Sequence, residues 1–296
     1  MKRMLVVLIA CLLLVGCQVN ENNSNGKVDV VVSTTMLADL VKQIGQEHVE
    51  VTMLFGPGID PHLAQPTGND TQVVYDADLV VFSGLNLEAH FHQIVDAFSD
   101  KTLLVGEELE ESDLLVSDGE YDPHYWFSVP LWIKAAKLVA EELMVTDSEH
   151  KSDYESNLNA YVADLMELHE WIEGRINEIE SDQRILVTAH DAFNYFANEC
   201  GMSVYSVGGM STDSEVTASS VNEVANLMIE HEIKAIFVES TVPLTSVEAV
   251  LAEVKRRDFE VSIGPELFSD ALGTQKYAQY VEAIKYNVNS IVESLK

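Results

Sequence analysis

The chain has 296 residues, 47% of them hydrophobic, and its 49 acidic against 17 basic side chains give a formal charge of −32 at pH 7. That length fits two domains or one large one, and the apolar fraction is that of a chain with real cores, not a disordered one. So acidic a surface draws cations and repels polyanions, which excludes nucleic-acid binding through phosphate contacts.

Residues 1–16 read as a signal peptide. Lys2 and Arg3 open it with positive charge, and residues 4–15 form an apolar run too short to span a membrane comfortably. Leu14-Val15-Gly16-Cys17 resembles the lipobox of bacterial lipoproteins, in which the cysteine takes lipid and becomes the new N-terminus. An ordinary signal peptide that contains a cysteine is the alternative. Residues 17–27 are polar and Asn-rich and suit a lipidated, flexible tether. With Cys11 lost and Cys17 lipidated, Cys200 alone remains in the folded part, so an intrachain disulfide framework is excluded. Cys200 reads as a small buried apolar residue.

From residue 28 strands and helices alternate. Residues 28–33 form a Val-rich strand, 36–44 a helix, and 49–55 a strand that runs into the turn-rich Gly56-Pro57-Gly58-Ile59-Asp60-Pro61-His62. A helix across 71–75 and strands at 77–82 and 103–105 follow. An acidic loop at 107–121 then leads to Asp122-Pro123-His124-Tyr125-Trp126 and the apolar run 126–145. In residues 147–179, Tyr154, Leu158, Tyr161, Leu165, Leu168, Ile172, Ile176 and Ile179 recur at steps of three and four, a helical period. A helix that long crosses a whole domain and reads as the connection between two lobes, unless Gly174 breaks it in two. The second lobe repeats the alternation, with strands at 184–189, 202–207, 235–238 and 259–263. Its helices run through 196 and at 216–230, 246–257 and 275–295. The expectation is an α/β fold of two lobes, 28–146 and 181–296, each a mainly parallel sheet flanked by helices, joined by a helix within 147–180.

Asp60-Pro61-His62 and Asp122-Pro123-His124 are two copies of one device. Proline fixes its own φ and pushes the preceding residue toward extended backbone, so each imidazole is presented from a stiff turn. One such turn is most simply structural; two point to a shared task. His62, His124 and His190 each follow the C-terminal end of a predicted strand or its loop, and Asp270 follows another. Open α/β sheets bind ligands there, and two facing lobes would bring these loops to one cleft. Three imidazoles and a carboxylate suit zinc or manganese. Ligands spread over two lobes would close one lobe on the other. Taken singly, His190 also reads as a strand-end histidine capping a helix, and Asp270 as a helix N-cap.

Other histidines carry less. On one helix His90 and His92 would point about 200° apart and could not chelate together. His48, His150, His169 and His231 read as surface residues, and Trp126, Trp132 and Trp171 as core or inter-lobe packing. A catalytic metal hydrolase needs an open coordination position and a base, and no H-E-x-x-H helix is present. A carrier of a metal chelate such as haem or a siderophore is the stronger alternative to a receptor for the bare ion, but it needs an open apolar or basic cleft.

Five stretches settle on one resemblance. They are Gly58-Ile59-Asp60-Pro61-His62, Asp122-Pro123-His124-Tyr125-Trp126-Phe127, Thr188-Ala189-His190-Asp191-Ala192-Phe193, Phe237-Val238-Glu239-Ser240 and Phe268-Ser269-Asp270-Ala271-Leu272-Gly273. In that order, over nearly the whole mature chain, they resemble the metal-binding solute-binding lipoproteins of bacterial ABC importers, the cluster A family with zinc and manganese members. The resemblance implies metal ligands at His62, His124, His190 and Asp270, with Asp191 and Glu239 as candidates to support them from behind. It further implies Zn2+ or Mn2+ as the transported ligand, a rigid connecting helix, little movement on binding and no catalysis. The expected setting is a monomer, lipid-anchored outside the cytoplasmic membrane, that serves an ABC permease and, through it, an ATPase. Some members of the family have been described as adhesins.

Three departures bear on this. Ser128 stands where many members have aspartate, which would weaken a supporting contact to a ligand histidine. The 107–121 loop lacks the histidines of many zinc-specific members, which favours manganese. His190 takes a position that is glutamate in some manganese-specific members, which favours zinc.

Overall fold

The structure, a computed structural model, describes residues 26–117 and 119–296. The signal peptide, Cys17 and most of the tether lie outside these residues. The first lobe is built from β1 (Val28–Val32), α1 (Thr35–Gly45), β2 (Val49–Met53), α2 (Gly68–Asp76), β3 (Leu79–Phe82), α3 (His92–Ala97) and β4 (Thr102–Leu104). The four strands are parallel in the order β2-β1-β3-β4. The two central strands are nearly all valine and leucine, as strands covered on both faces must be. Thr34 caps α1 and Thr67 caps α2, the latter in a capping box with Asp70.

The acidic loop contains more structure than its composition suggests. It folds the hairpin β5 (Val116–Ser117) and β6 (Glu120–Tyr121), with Gly119 in its turn at φ 88°, a conformation that glycine permits. The hairpin ends directly before Asp122. Ser128 then caps α4 (Val129–Thr146), with Pro130 in the first turn.

The long helix α5 (Lys151–Ile176) has 26 residues and spans about 39 Å. It is shorter than expected at both ends: a separate 3-10 turn at Ser148–His150 precedes it and Asn177 caps its C-terminus; Gly174 does not interrupt it. Tyr154, Tyr161, Leu165, Leu168, Ile172 and Ile176 form its buried stripe.

The second lobe comprises β7 (Ile185–Thr188), α6 (Asn194–Cys200), β8 (Ser203–Ser206), α7 (Ala218–Glu230), β9 (Ala235–Ile236), α8 (Thr245–Arg256), β10 (Ser262–Ile263) and α9 (Tyr280–Leu295). Strands β7 and β8 pair in parallel, as do β9 and β10. Phe237 N–H donates to Val187 O at 2.8 Å and sets β9 beside β7. The last helix starts later than predicted because residues Gln275–Ala278 form a 3-10 turn.

The largest hydrophobic cluster does not stop at a lobe boundary. It runs from Val30 and Leu40 through Trp132, Tyr154 and Leu165 to Phe193, Phe237 and Ile291. Trp132 stacks on Tyr280 with centroids 5.1 Å apart and donates to the Tyr161 hydroxyl at 3.0 Å. Large side chains of this kind contribute roughly 1.5–3 kcal/mol each when fully buried, so a wide swing of one lobe against the other would expose a costly surface. Among the described residues no helix is long and apolar enough to cross a membrane.

Candidate metal centre

Each of the four predicted residues is delivered by local chemistry. Asp60 Oδ1 accepts the His62 backbone N–H at 2.9 Å, and Asp122 Oδ1 accepts that of His124 at 2.9 Å. Both Asp-Pro-His turns therefore close the same way: the aspartate carboxylate folds onto the backbone of the histidine two residues on. His190 stands two residues beyond β7, where Glu239 Oε1 accepts the N–H groups of Ala189 and His190 at 2.9 and 3.0 Å. Asp270 follows the bridge that pairs Glu239 with Leu267. Its neighbour Ser269 gives its carbonyl to Trp126 Nε1 across the lobes at 3.1 Å.

The four side chains come together. His62, His124, His190 and Asp270 each place one ligand atom within 4.8 Å of all the others. His62 Nε2 lies 3.4 Å from His124 Nε2, and Asp270 oxygens lie 3.4 Å from His124 Nε2 and 3.2 Å from His190 Nε2. Yet His190 Nε2 and Asp270 Oδ1 are buried without a hydrogen bond. Polar atoms this close but not aligned are what convergence on a common centre produces, and burying them otherwise unpaired would be costly. His62 is 5% exposed and the other three 2% or less.

Two carboxylates hold the rings from behind. Asp122 Oδ1 lies 2.7 Å from His124 Nδ1, and Glu239 Oε2 is in close ion-pair contact with His190 Nδ1. A carboxylate behind Nδ1 orients each ring with Nε2 toward the centre, where a neutral imidazole would offer its lone pair. Glu239 thus sits directly behind His190. Asp191 faces Asn194, which donates to Asp122 Oδ2 at 3.1 Å. Nothing in the local sequence marks Asp122 as a ring partner, although it sits in the same motif as the histidine it holds. Ser128 leaves that contact untouched, because its hydroxyl caps α4 and bonds Glu199 Oε1 at 2.7 Å.

Electrostatics sorts the histidines. Burial pulls His62 down to about 3. Burial acts the same way on His124, but Asp122 and Asp270 outweigh it and raise that ring to about 9. Against burial, Glu239 and Asp270 hold His190 well above its ordinary value. Asp270 resists the upward push of burial and stays well below the usual carboxylate range, because His190 and His124 face it.

The remaining histidines lie elsewhere. His90 belongs to a 3-10 turn and His92 to α3, and the His92 ring bonds Ala89 O at 3.0 Å. His48 and His150 are half-buried, not on the surface as expected: their rings stack at 3.9 Å and pair with Asp153 and Asp147. Tertiary packing of α5 against the end of α1 brings them together, which local sequence does not report. His169 lies 3.8 Å from Glu173, and His231 is exposed. Trp126 and Trp132 are buried, and Trp171 is half-buried against the core.

Relatives place this arrangement in context. The chain is 36% identical over 301 residues to the manganese-binding lipoprotein MntA of Bacillus subtilis, covering 99% of this chain and 98% of that protein. It is also 36% identical over 277 residues to the zinc-binding protein TroA of Treponema pallidum, covering 92% and 90%. The solved structure of the periplasmic zinc binding protein TroA from Treponema pallidum superposes with a TM-score of 0.89, covering 91% of this chain and 99% of that one. Residues 30–294 match the family model described as zinc-uptake complex component A periplasmic (ZnuA). With a buried three-histidine, one-aspartate cluster between two α/β lobes, the chain belongs to that ZnuA family.

Proposed function

We propose that the chain is an extracytoplasmic receptor that captures a divalent transition metal, zinc or manganese, between its lobes and delivers it to the permease of an ABC importer. His62 and His124 supply ligands from the first lobe, His190 and Asp270 from the second. The observation that carries this reading is the convergence of these four buried ligand atoms within 4.8 Å. Three imidazoles favour zinc, and the carboxylate keeps the site acceptable to manganese. Near-complete burial favours a bare ion over a haem or siderophore complex, which would need an open cleft. Binding and release are favoured over catalysis, because both Glu239 oxygens are engaged by Ala189 and His190 and neither is free to act as a base. The chain would act as a monomer anchored through lipid on Cys17, with a permease and its ATPase as partners. The test is metal analysis and thermal shift on protein lacking residues 1–17, titrated separately with zinc and manganese. One ion per chain, with a rise in melting temperature that Asp270→Ala abolishes, is the expected result. No uptake of either ion would send the reading to the chelate carrier.

A further inference from the structure

The four ligand side chains are nearly sealed from solvent, so an ion can leave only if a covering element moves. Ties between the lobes are of two kinds. One kind is buried: Trp126 Nε1 donates to Ser269 O, Tyr280 OH donates to Trp126 O at 2.6 Å, and the common core runs beneath. The other joins two irregular loops. The first loop carries Asp60 and His62 and is flanked by Ile59 and Leu63, both largely exposed. The second leads from β8 to α7. Its base is pinned beside His190, with Gly208 N–H donating to Ala189 O at 2.9 Å and Asp191 N–H to Gly209 O at 3.2 Å. Its tip sets the Thr212 hydroxyl 2.6 Å from Asp60 Oδ2. The other Asp60 oxygen holds the His62 backbone N–H. One carboxylate therefore ties the backbone of a ligand histidine to the opposite lobe.

We propose that the Thr212–Asp60 hydrogen bond is a latch that sets how fast a bound ion escapes, with Thr212 a positioning residue acting through Asp60 on His62. This rests on the reading of the cluster as a metal site. While the bond holds, the His62 turn cannot lift away without pulling on the loop based at His190. When it breaks, His62 can withdraw while the rigid ties between the lobes stay intact, so release needs no wide lobe movement. Both partners belong to loops without helix or strand, the kind of segment that opens locally at least cost.

The test compares Thr212→Val, which keeps the shape and removes the hydroxyl, with Thr212→Ser, which keeps the hydroxyl. Zinc-loaded wild-type and variant proteins are mixed with excess chelator and the release rate is followed by stopped flow. Melting temperatures of the unloaded proteins are recorded alongside. Thr212→Val should still hold one ion per chain but release it about five- to tenfold faster, as expected for loss of a half-buried hydrogen bond to a carboxylate. Thr212→Ser should release at the wild-type rate, and the unloaded Thr212→Val protein should melt only slightly below wild type, as loss of a single hydrogen bond requires. Release from Thr212→Val at the wild-type rate would overturn the latch and leave the metal site standing. Thr212→Ser as fast as Thr212→Val would also overturn it, since packing of the methyl group would then be responsible. Wild-type protein that takes up neither zinc nor manganese would overturn the site and the latch together.

Discussion

Glu239→Gln is the sharpest probe of how the site is held. The substitution keeps size and shape, and the amide oxygen can still accept the Ala189 and His190 backbone N–H groups at 2.9 and 3.0 Å. The amide nitrogen then takes the place of Oε2 opposite His190 Nδ1. It can only donate, so Nδ1 must become the acceptor, and in a neutral imidazole the proton moves to Nε2. A protonated Nε2 has no lone pair for a metal. The variant must break the new contact or lose a ligand. Loss of such an outer partner lowers metal affinity roughly 10- to 100-fold, equivalent to about 1.4–2.8 kcal/mol. The assay is a zinc competition titration against a chromophoric chelator at pH 7.5, with circular dichroism to confirm native helix content. A folded Glu239→Gln protein with affinity within twofold of wild type would refute the tautomer argument.

Proton release gives a second check. Metal must displace protons that neighbouring carboxylates hold on His124 and His190. Loading at pH 7 should therefore release protons, measurable by calorimetry in buffers of different ionisation enthalpy, and affinity should keep rising toward pH 9. Zero release would contradict the charge assignments. The same shift acts in the opposite sense on the unloaded protein: stabilisation from His124 is complete below its unfolded value of about 6.5 and is lost as pH rises through about 9. Melting temperature of the unloaded form should fall over that window while the metal-induced increment grows. Ser128→Ala removes the α4 cap and should cost about 1 kcal/mol in denaturant unfolding, with metal affinity unchanged; a large affinity loss would show that Ser128 supports a ligand after all. Trp126→Phe leaves the Ser269 carbonyl beside Asp270 unpaired and should cost about 1–3 kcal/mol, together with a weaker zinc affinity; an unchanged affinity would mean that Asp270 is positioned without it.

Much of the molecule was legible because its signals are local. Valine runs mark β1 and β3, the three-and-four spacing of Tyr154 through Ile176 marks α5, and Asp-Pro-His marks two of the histidine turns at the centre. His190 and Asp270 stand out as candidates because sheet geometry places binding sites beyond strand ends, a rule that needs no contact map. The supporting contacts were harder to see. Asp122 was read as backbone context for His124, when its carboxylate reaches both the N–H and the ring of that residue. Asp191 looked eligible by adjacency to His190, but its side chain turns to Asn194. Thr212 carries no motif; its role depends on a loop 152 residues from Asp60 folding back over the first lobe. The His48–His150 stack is equally non-local. Turns and periods are written in adjacent residues, whereas side-chain partners across lobes are set by the tertiary fold.

The central claim is that a single divalent ion sits among His62, His124, His190 and Asp270, and anomalous diffraction from zinc-loaded crystals tests it most directly. The expected result is one anomalous peak per chain, about 2.0–2.2 Å from Nε2 of each of the three histidines and from an oxygen of Asp270. A peak bound to any other set of side chains, or no peak in crystals grown with excess zinc, would contradict the account.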